Sequence, residues 1–131
     1  MEVTIYTDGA ARGNPGPASA GAVIRDEHDK IIAQISHRIG FTTNNQAEYI
    51  AIVMALEEAL KLGATNVNLK SDSELVVKQL GGSYRVKNVA LKPLYQKVIK
   101  LSSSLESFKI NHIPRGQNEE ADTLANKALD S

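Results

Sequence analysis

The chain has 131 residues, with 15 Lys and Arg against 15 Asp and Glu, and it contains no Cys. This length suits one domain with its own core, so we expect residues 1–131 to form a single domain. The lack of Cys excludes disulfides, Zn–thiolate sites and thiol catalysis. No apolar run reaches bilayer length and the first residues show no signal pattern. We therefore expect a cytoplasmic protein with no membrane contact, and a monomer.

The first third of the chain predicts three β-strands. Apolar runs occur around residues 3–6, 20–24 and 31–35, separated by short segments rich in Gly, Pro or charged residues. Such runs with short connections are typical of an antiparallel meander. The first run stops at Asp8, which we therefore expect to end the first strand.

Helical and extended patterns alternate over the remainder of the chain. Thr43 and Asn44 are typical helix-capping residues, and helical spacing then continues to Gly63. Four further elements follow: a strand near 67–69, a helix ending at 81, a helix over 91–103 and a strand over 108–113. A last helix begins near Gln117. The order βββ-α-β-α-α-β-α predicts an α/β fold: a mixed five-stranded sheet, three antiparallel strands then two parallel ones, flanked by helices.

Four carboxylates occupy positions that this fold brings towards one sheet edge. Asp8 and Asp72 are expected to end the first and fourth strands, and functional groups of open α/β sheets collect beyond the carboxyl ends of strands. Glu48 and Asp122 each share a helical face with apolar residues, which is unusual for a solvated acid. Each residue alone has an ordinary interpretation as a turn residue or a helix N-terminal acid. Together they predict an acidic cluster.

An acidic cluster of this kind requires cations, because neighbouring carboxylates repel one another and raise their own pKa values. Oxygen ligands without Cys or a His pair favour Mg²⁺ or Mn²⁺. Two such ions about 3.5–4 Å apart are the usual apparatus of phosphodiester cleavage. The sequence therefore predicts a two-metal site.

Five segments together resemble the type 1 ribonuclease H family, in the same order and over nearly the whole chain. They are Tyr6-Thr7-Asp8-Gly9, Gly13-Asn14-Pro15-Gly16-Pro17, Thr42-Thr43-Asn44-Asn45-Gln46-Ala47-Glu48, Ser71-Asp72-Ser73 and Asn118-Glu119-Glu120-Ala121-Asp122-Thr123-Leu124-Ala125. The resemblance implies a ribonuclease H-like fold and a metal-dependent endonuclease that cuts the RNA strand of an RNA/DNA hybrid. It implies 5′-phosphate and 3′-hydroxyl ends, with Asp8, Glu48, Asp72 and Asp122 as metal ligands.

Two regions depart from many family members. The segment around residues 81–93 is too short for the basic helical handle, so the chain resembles the compact subgroup that lacks it. The chain from Tyr84 to Lys100 is still basic, which favours phosphate contact over a merely solvated face. It contains no acids and five cationic residues: Arg85, Lys87, Lys92, Lys97 and Lys100. Many members also carry a catalytic His in a loop before the last helix. Either His112 or Arg115 could replace it, and we expect Arg115 to contact the scissile or leaving phosphate, or to help expel product.

Recognition of RNA beside DNA depends on the 2′-hydroxyl in a wide, shallow minor groove. The resemblance and the residue types predict that uncharged groups and close backbone approach serve this purpose. The candidates are Gly9, Gly13, Asn14, Thr43, Asn44, Asn45 and Gln46. None of them is suited to reading base edges, so we expect little sequence preference. Turn and helix-cap roles are the alternatives for these residues. Glu119, one turn before Asp122, is a candidate outer metal ligand.

Three other functions share part of this pattern. A Holliday-junction resolvase or transposase core is disfavoured by the complete Thr-Asn-Asn-x-x-Glu segment at 43–48. A catalytically silent hybrid-binding module remains open, because the presence of four acids does not establish their geometry. An actin-like ATPase requires two such domains, for which 131 residues are too few.

Overall fold

The computed structural model describes all residues from Met1 to Ser131. The strands are β1 (Glu2–Ala11), β2 (Gly16–Arg25), β3 (Ile31–Thr42), β4 (Asn66–Ser71) and β5 (Ser107–His112). The helices are α1 (Asn44–Lys61), α2 (Glu74–Leu80), α3 (Lys92–Ser102) and α4 (Glu119–Asp130), with a 3₁₀ turn at Arg115–Gln117 before α4. None of these helices combines the length and the apolar character needed to cross a bilayer.

The five strands form one mixed sheet in the order β3-β2-β1-β4-β5. The pairs β1–β2 and β2–β3 are antiparallel, while β1–β4 and β4–β5 are parallel. The predicted fold class and element order are therefore confirmed. A parallel pair needs a crossover, and α1 provides it between the meander and β4.

Helices α1 and α4 cover opposite faces of the sheet. Gly9 of β1 abuts the backbone of α1, whereas Gly21 of β2 abuts that of α4. Gly21 pairs with Asp8 in the register of β1 and β2, so the two residues face the same side of the sheet. Gly9, the next residue of β1, faces the opposite side, so the contacts with α1 and α4 lie on different faces. The main hydrophobic core lies on the α1 side and includes Ile5, Leu69 and Leu56.

The start of α1 is fixed by a reciprocal capping box. Thr43 Oγ1 accepts a hydrogen bond from the Gln46 N–H at 3.2 Å, and Gln46 Oε1 accepts one from the Thr43 N–H at 3.3 Å. The cap is Thr43 alone, because Asn44 and Asn45 are already helical. Gly63, with a φ of +90°, follows the helix as predicted.

Several predicted boundaries need correction. The expectation that Asp8 ends its strand is wrong, because β1 continues to Ala11. The antiparallel ladder with β2 extends to the pair Ala11–Ala18, whereas the parallel ladder with β4 stops at Thr7–Ser71. Asp8 is thus the first residue beyond the parallel ladder. At the other end of the chain, α4 begins at Glu119 and not near Gln117, because a 3₁₀ turn intervenes.

Candidate active site

Three of the four predicted carboxylates meet at the carboxyl end of the parallel strands. Asp8 comes from β1, Glu48 from α1 and Asp72 from the residue after β4, and their ligand oxygens all lie within 4.8 Å of one another. Asp8 and Glu48 are buried, with 8% and 5% of their surfaces exposed. Asp72 is partly buried.

The position of Glu48 depends on a very close approach of α1 to β1. A Cβ atom on Gly9 would lie 2.2 Å from the Ala47 carbonyl carbon, so only glycine permits this contact. The Gly9 N–H donates a hydrogen bond to Glu48 Oε1. Gly9 was predicted to let substrate approach, and the structure gives it a packing role that the sequence did not reveal.

Asp122 joins the same cavity from α4. Asp122 is not one of the acids whose ligand oxygens all lie within 4.8 Å of one another. It nevertheless lines a cavity of about 250 Å³ together with those three acids. It lies near enough to Asp8 to contribute to the raised pKa of the Asp8 carboxyl. Asn126 Nδ2, one turn later, donates to the Asp122 carbonyl at 3.0 Å and to Asp122 Oδ1 at 3.2 Å. All four acids therefore border one cavity.

Burial and mutual repulsion favour the protonated forms of these acids. Burial, followed by the charge of Asp72 and a hydrogen bond with Asp122, raises the pKa of Asp8 to about 7. Burial and then the charge of Asp8 raise the pKa of Glu48 well above its ordinary value, although the Gly9 N–H acts in the opposite direction. No Lys or Arg forms an ion pair with any of the four acids.

The donor set fits a hard divalent cation. The oxygens come from carboxylates on three different elements, they converge within 4.8 Å, and no side-chain cation neutralises them. Mg²⁺ and Mn²⁺ prefer such oxygen ligands. A cation at this position would remove the repulsion that raises the pKa values of Asp8 and Glu48.

Arg115 and His112 occupy different places relative to the cavity. Arg115, in the 3₁₀ turn, is the single cationic residue among those that line it. His112, the last residue of β5, is exposed and does not line it, and its Nε2 lies 3.3 Å from the Asp72 carbonyl oxygen. This geometry favours the predicted choice of Arg115 as the residue that faces a bound phosphate.

The glycine-rich turn and the start of α1 are linked by a direct hydrogen bond. Asn14 Oδ1 accepts from the Asn44 N–H at 3.0 Å, and Gly13 adopts a φ of +111° in the turn. Asn44 also lines the acidic cavity. Gln46 Oε1 is engaged by the cap at Thr43 and by Thr42 Oγ1 at 2.6 Å. Asn14 and Gln46 thus have structural roles, and substrate contact by them stays a prediction.

Glu119 lies apart from the acidic cavity. It is exposed and lines a separate cavity of about 210 Å³ with Tyr6 and Gln117. The structure therefore does not bring Glu119 to the place where an outer metal ligand was expected.

The predicted basic residues border a groove between α2 and α3. The connection over residues 81–91 contains no helix, as the compact form requires. Arg85 lines a groove of about 660 Å³ with Tyr84 and Tyr95, and Lys87 lines the adjoining surface. Neither Arg85 nor Lys87 forms an ion pair, so both are available to an anion.

Two residues of the site were missed by sequence reasoning. Asn126 supports Asp122, as described above. Asn118 is fully buried, with Nδ2 donating to the Thr7 carbonyl at 2.8 Å and lying 3.4 Å from Asp72 Oδ2. An Asn directly before a helix is ordinarily read as a cap, yet the Asn118 side chain makes no cap hydrogen bond. The one sequence signal for Asn118 is that it begins the last of the five segments that resemble the ribonuclease H family.

Comparison with known proteins identifies the family. Residues 6–128 match the family described as Reverse transcriptase-like. A Ribonuclease HI of Halobacterium salinarum is 44% identical over 128 residues, covering 98% of this chain and 64% of that protein. A bifunctional protein of Mycobacterium tuberculosis is 42% identical, covering all of this chain but 36% of its own length. A Ribonuclease H of Bradyrhizobium diazoefficiens is 36% identical, and 89% of it is covered.

Solved structures agree with these relatives. The crystal structure of RNase H1 from Halobacterium salinarum matches with a TM-score of 0.97 at 43% identity, covering 99% of this chain and 98% of that one. LC11-RNase H1, from compost, was solved in complex with an RNA/DNA hybrid and matches with a TM-score of 0.93 at 43% identity, covering 98% of this chain and 96% of that one. The chain belongs to the type 1 ribonuclease H family. It spans about a third of the mycobacterial relative and just under two thirds of the Halobacterium protein.

Proposed function

We propose that this chain is an endonuclease that hydrolyses the RNA strand of RNA/DNA hybrids by a two-metal-ion mechanism. The observation that carries the proposal is the convergence of Asp8, Glu48 and Asp72 within 4.8 Å. The likeness to LC11-RNase H1, which was solved with a hybrid, supports the choice of substrate. The products carry 5′-phosphate and 3′-hydroxyl ends, and the whole of residues 1–131 acts as one domain.

The carboxylates of Asp8, Glu48, Asp72 and Asp122 would hold the cations. When bound there, two Mg²⁺ or Mn²⁺ ions would supply activation of a water nucleophile and charge stabilisation for the leaving 3′-oxygen. Arg115 cannot act as a base at neutral pH, because its guanidinium stays protonated. It binds the scissile or leaving phosphate from the rim of the cavity. Because it lies outside the cavity, Glu119 has no place in this metal site.

The choice of the RNA strand comes from contacts that read sugars and phosphates. Asn44 lines the acidic cavity, Asn14 is hydrogen-bonded to the Asn44 N–H, and Asn45 follows Asn44 in α1. Their uncharged groups are suited to 2′-hydroxyls in the minor groove. Thr43 and the Asn45 N–H are suited to a phosphate of the DNA strand, since the neighbouring N–H groups of the first turn are engaged: the Asn44 N–H by Asn14 and the Gln46 N–H by Thr43. Arg85 and Lys87 extend the phosphate contacts along the groove between α2 and α3. Because none of these contacts reads a base edge, cleavage shows little sequence preference. We further propose that the protein acts as a monomer in the cytoplasm.

The test compares wild-type protein with Asp72→Asn on an end-labelled hybrid in Mg²⁺, in Mn²⁺ and in EDTA. The matched control is Asp29→Asn, the same change in an exposed turn residue with a φ of +61°, a conformation that Asn tolerates. We expect cleavage in either metal, none in EDTA, and none by Asp72→Asn, with Asp29→Asn equal to wild type. Hybrid that is bound in a gel shift but uncut in both metals would instead support a silent binding module. Cleavage of four-way DNA in place of the hybrid would support a resolvase.

A further inference from the structure

Asn118 occupies a junction between the elements that carry three of the four acids. It is 1% exposed and lies between the 3₁₀ turn and α4. Its Nδ2 donates to the Thr7 carbonyl, the residue before Asp8, and lies 3.4 Å from Asp72 Oδ2. Its carbonyl accepts from the Asp122 N–H at 3.1 Å. One residue thus contacts β1, the end of β4 and the first turn of α4.

The junction lies where the sheet no longer holds the two strands together. Thr7 and Ser71 form the last register pair of β1 and β4, so Asp8 and Asp72 lie just beyond the ladder. The Thr7 carbonyl oxygen and Asp72 Oδ2 are both acceptors, so the Asn118 amide must turn its donor, Nδ2, towards them. The amide therefore spans the two strand ends where backbone pairing has stopped.

The other atom of the amide has no protein partner. Asn118 Oδ1 is fully buried and forms no hydrogen bond with any protein group. A buried unsatisfied oxygen is rare in folded proteins and costs stability. Leu has nearly the same shape and would avoid that cost, whereas Asp would place a second carboxylate against that of Asp72 and a further acceptor against the Thr7 carbonyl. The environment therefore selects a neutral donor at this position.

We infer that Asn118 is a positioning residue that holds the Asp72 carboxylate against β1, so that the oxygens of Asp8 and Asp72 stay at metal-binding distance. This inference rests on the proposed metal site. Partners that hydrogen-bond a metal ligand orient it, and their removal typically weakens metal affinity about 10–100-fold. Asn118 acts through Asp72 and does not itself bind the cation.

The test measures Mg²⁺ affinity without substrate, by titrating ¹⁵N-labelled protein with MgCl₂ and following backbone amide shifts by NMR. The variant is Asn118→Leu, and the control is Gln79→Leu. Gln79 is also a buried amide, 5% exposed, with its Oε1 accepting from the Tyr49 hydroxyl at 2.7 Å, and it does not line the acidic cavity. Unfolding by urea, without metal, is measured for each protein alongside.

We expect Asn118→Leu to weaken Mg²⁺ binding about 10-fold or more, and Gln79→Leu to leave it within about 2-fold of wild type. Equal Mg²⁺ affinity in Asn118→Leu and wild type would overturn the inference, while absence of Mg²⁺ binding by wild type would contradict the metal site itself. If Asn118→Leu does not fold, Asn118→Ala is titrated in its place. Failure of both to fold while Gln79→Leu folds would also overturn the inference, because the amide would then serve the fold and not the site.

Discussion

Asp8 and Asp72 follow the last register pair of two parallel neighbours, Thr7 of β1 and Ser71 of β4. Their carboxylates therefore lie side by side at the end of the parallel ladder. One ligand oxygen from each of Asp8, Asp72 and Glu48 lies within 4.8 Å of the other two. The two acids approach each other because of strand register. Repulsion between the two carboxylates destabilises the metal-free fold, and a bound cation would offset it.

The burial of Asp8, together with that repulsion, predicts an unusual pH dependence of the metal-free protein. Asp8 has its pKa raised to about 7 in the folded state, against 3.8 ordinarily. Between about pH 4 and 7 the folded state therefore keeps a proton that the unfolded state has released. The stability that Asp8 contributes is thus greatest below about pH 4, is lost as the pH rises to about 7, and stays constant above it. One such proton gives a slope of at most about 1.4 kcal/mol per pH unit.

The measurement of this slope is urea unfolding in EDTA at pH values between 4.5 and 7.5, on wild type and Asp8→Asn. We expect the wild-type free energy of unfolding to fall relative to that of Asp8→Asn over this range. A constant difference between the two proteins would contradict the raised pKa of Asp8.

Gly9→Ala is expected to destabilise the fold strongly. The added methyl would lie 2.2 Å from the Ala47 carbonyl carbon, which belongs to backbone and cannot rotate away. Forced overpacking typically costs about 1–3 kcal/mol and occasionally more, and a clash with fixed backbone is expected at the upper end. Gly116→Ala is the control, because nothing lies within 4 Å of its added Cβ, and it should stay within about 0.5 kcal/mol of wild type. Equal urea midpoints for the two variants would show that β1 and α1 are not packed this closely.

Arg115→Ala is expected to slow turnover without removing the metal site. Arg115 lines the acidic cavity but is not a metal ligand, and loss of one transition-state donor typically costs about 100-fold in rate or more. Single- and multiple-turnover cleavage rates measure the effect, and Mg²⁺ titration checks that metal affinity is retained. Arg38→Ala, at an exposed Arg of β3, serves as the control. Rates equal to wild type in both regimes would exclude a role for Arg115.

Arg85 and Lys87 are expected to contribute phosphate contacts to hybrid binding. The double change Arg85→Gln and Lys87→Gln should weaken hybrid binding. It should also reduce the magnitude of the slope of log K against log salt by about 1–2, because binding with two fewer phosphate contacts releases fewer counterions. Binding is measured in EDTA to prevent cleavage. Lys30→Gln with Lys61→Gln is the control, because both residues lie near the other end of β1. An unchanged salt slope in the Arg85 and Lys87 variant would mean that the groove does not contact the duplex.

The sequence alone was sufficient for the fold class, the order of elements and the acidic cluster, because these follow from local patterns. Asp8 and Asp72 were predicted at one sheet edge because functional groups of open α/β sheets collect beyond the carboxyl ends of strands. The true end of β1 was missed, since the extra residues Gly9–Ala11 are held by pairing with β2, a long-range contact that periodicity does not encode. The packing role of Gly9 was missed for the same reason.

The side-chain contacts of the site were the part that the sequence predicted least well. Asn118 looks like an ordinary helix cap in the sequence, and only the fold shows that it contacts Thr7 and Asp72. Glu119 is the converse case. Its helical spacing from Asp122 suggested a shared face, yet it lines a separate cavity. Residues three apart on a helix are neighbours, but a narrow cavity can admit one of them and not the other.

Strand-selective cleavage tests the central claim most directly. A single RNA/DNA hybrid, with a different fluorophore on the 5′ end of each strand, is incubated with wild-type protein in Mg²⁺ and resolved on a denaturing gel. We predict that the RNA label alone shortens, at many positions, while the DNA label stays at full length. Cleavage of the DNA strand, or of neither strand although Mg²⁺ binds, would contradict the assignment of this acidic site to hydrolysis of RNA in a hybrid.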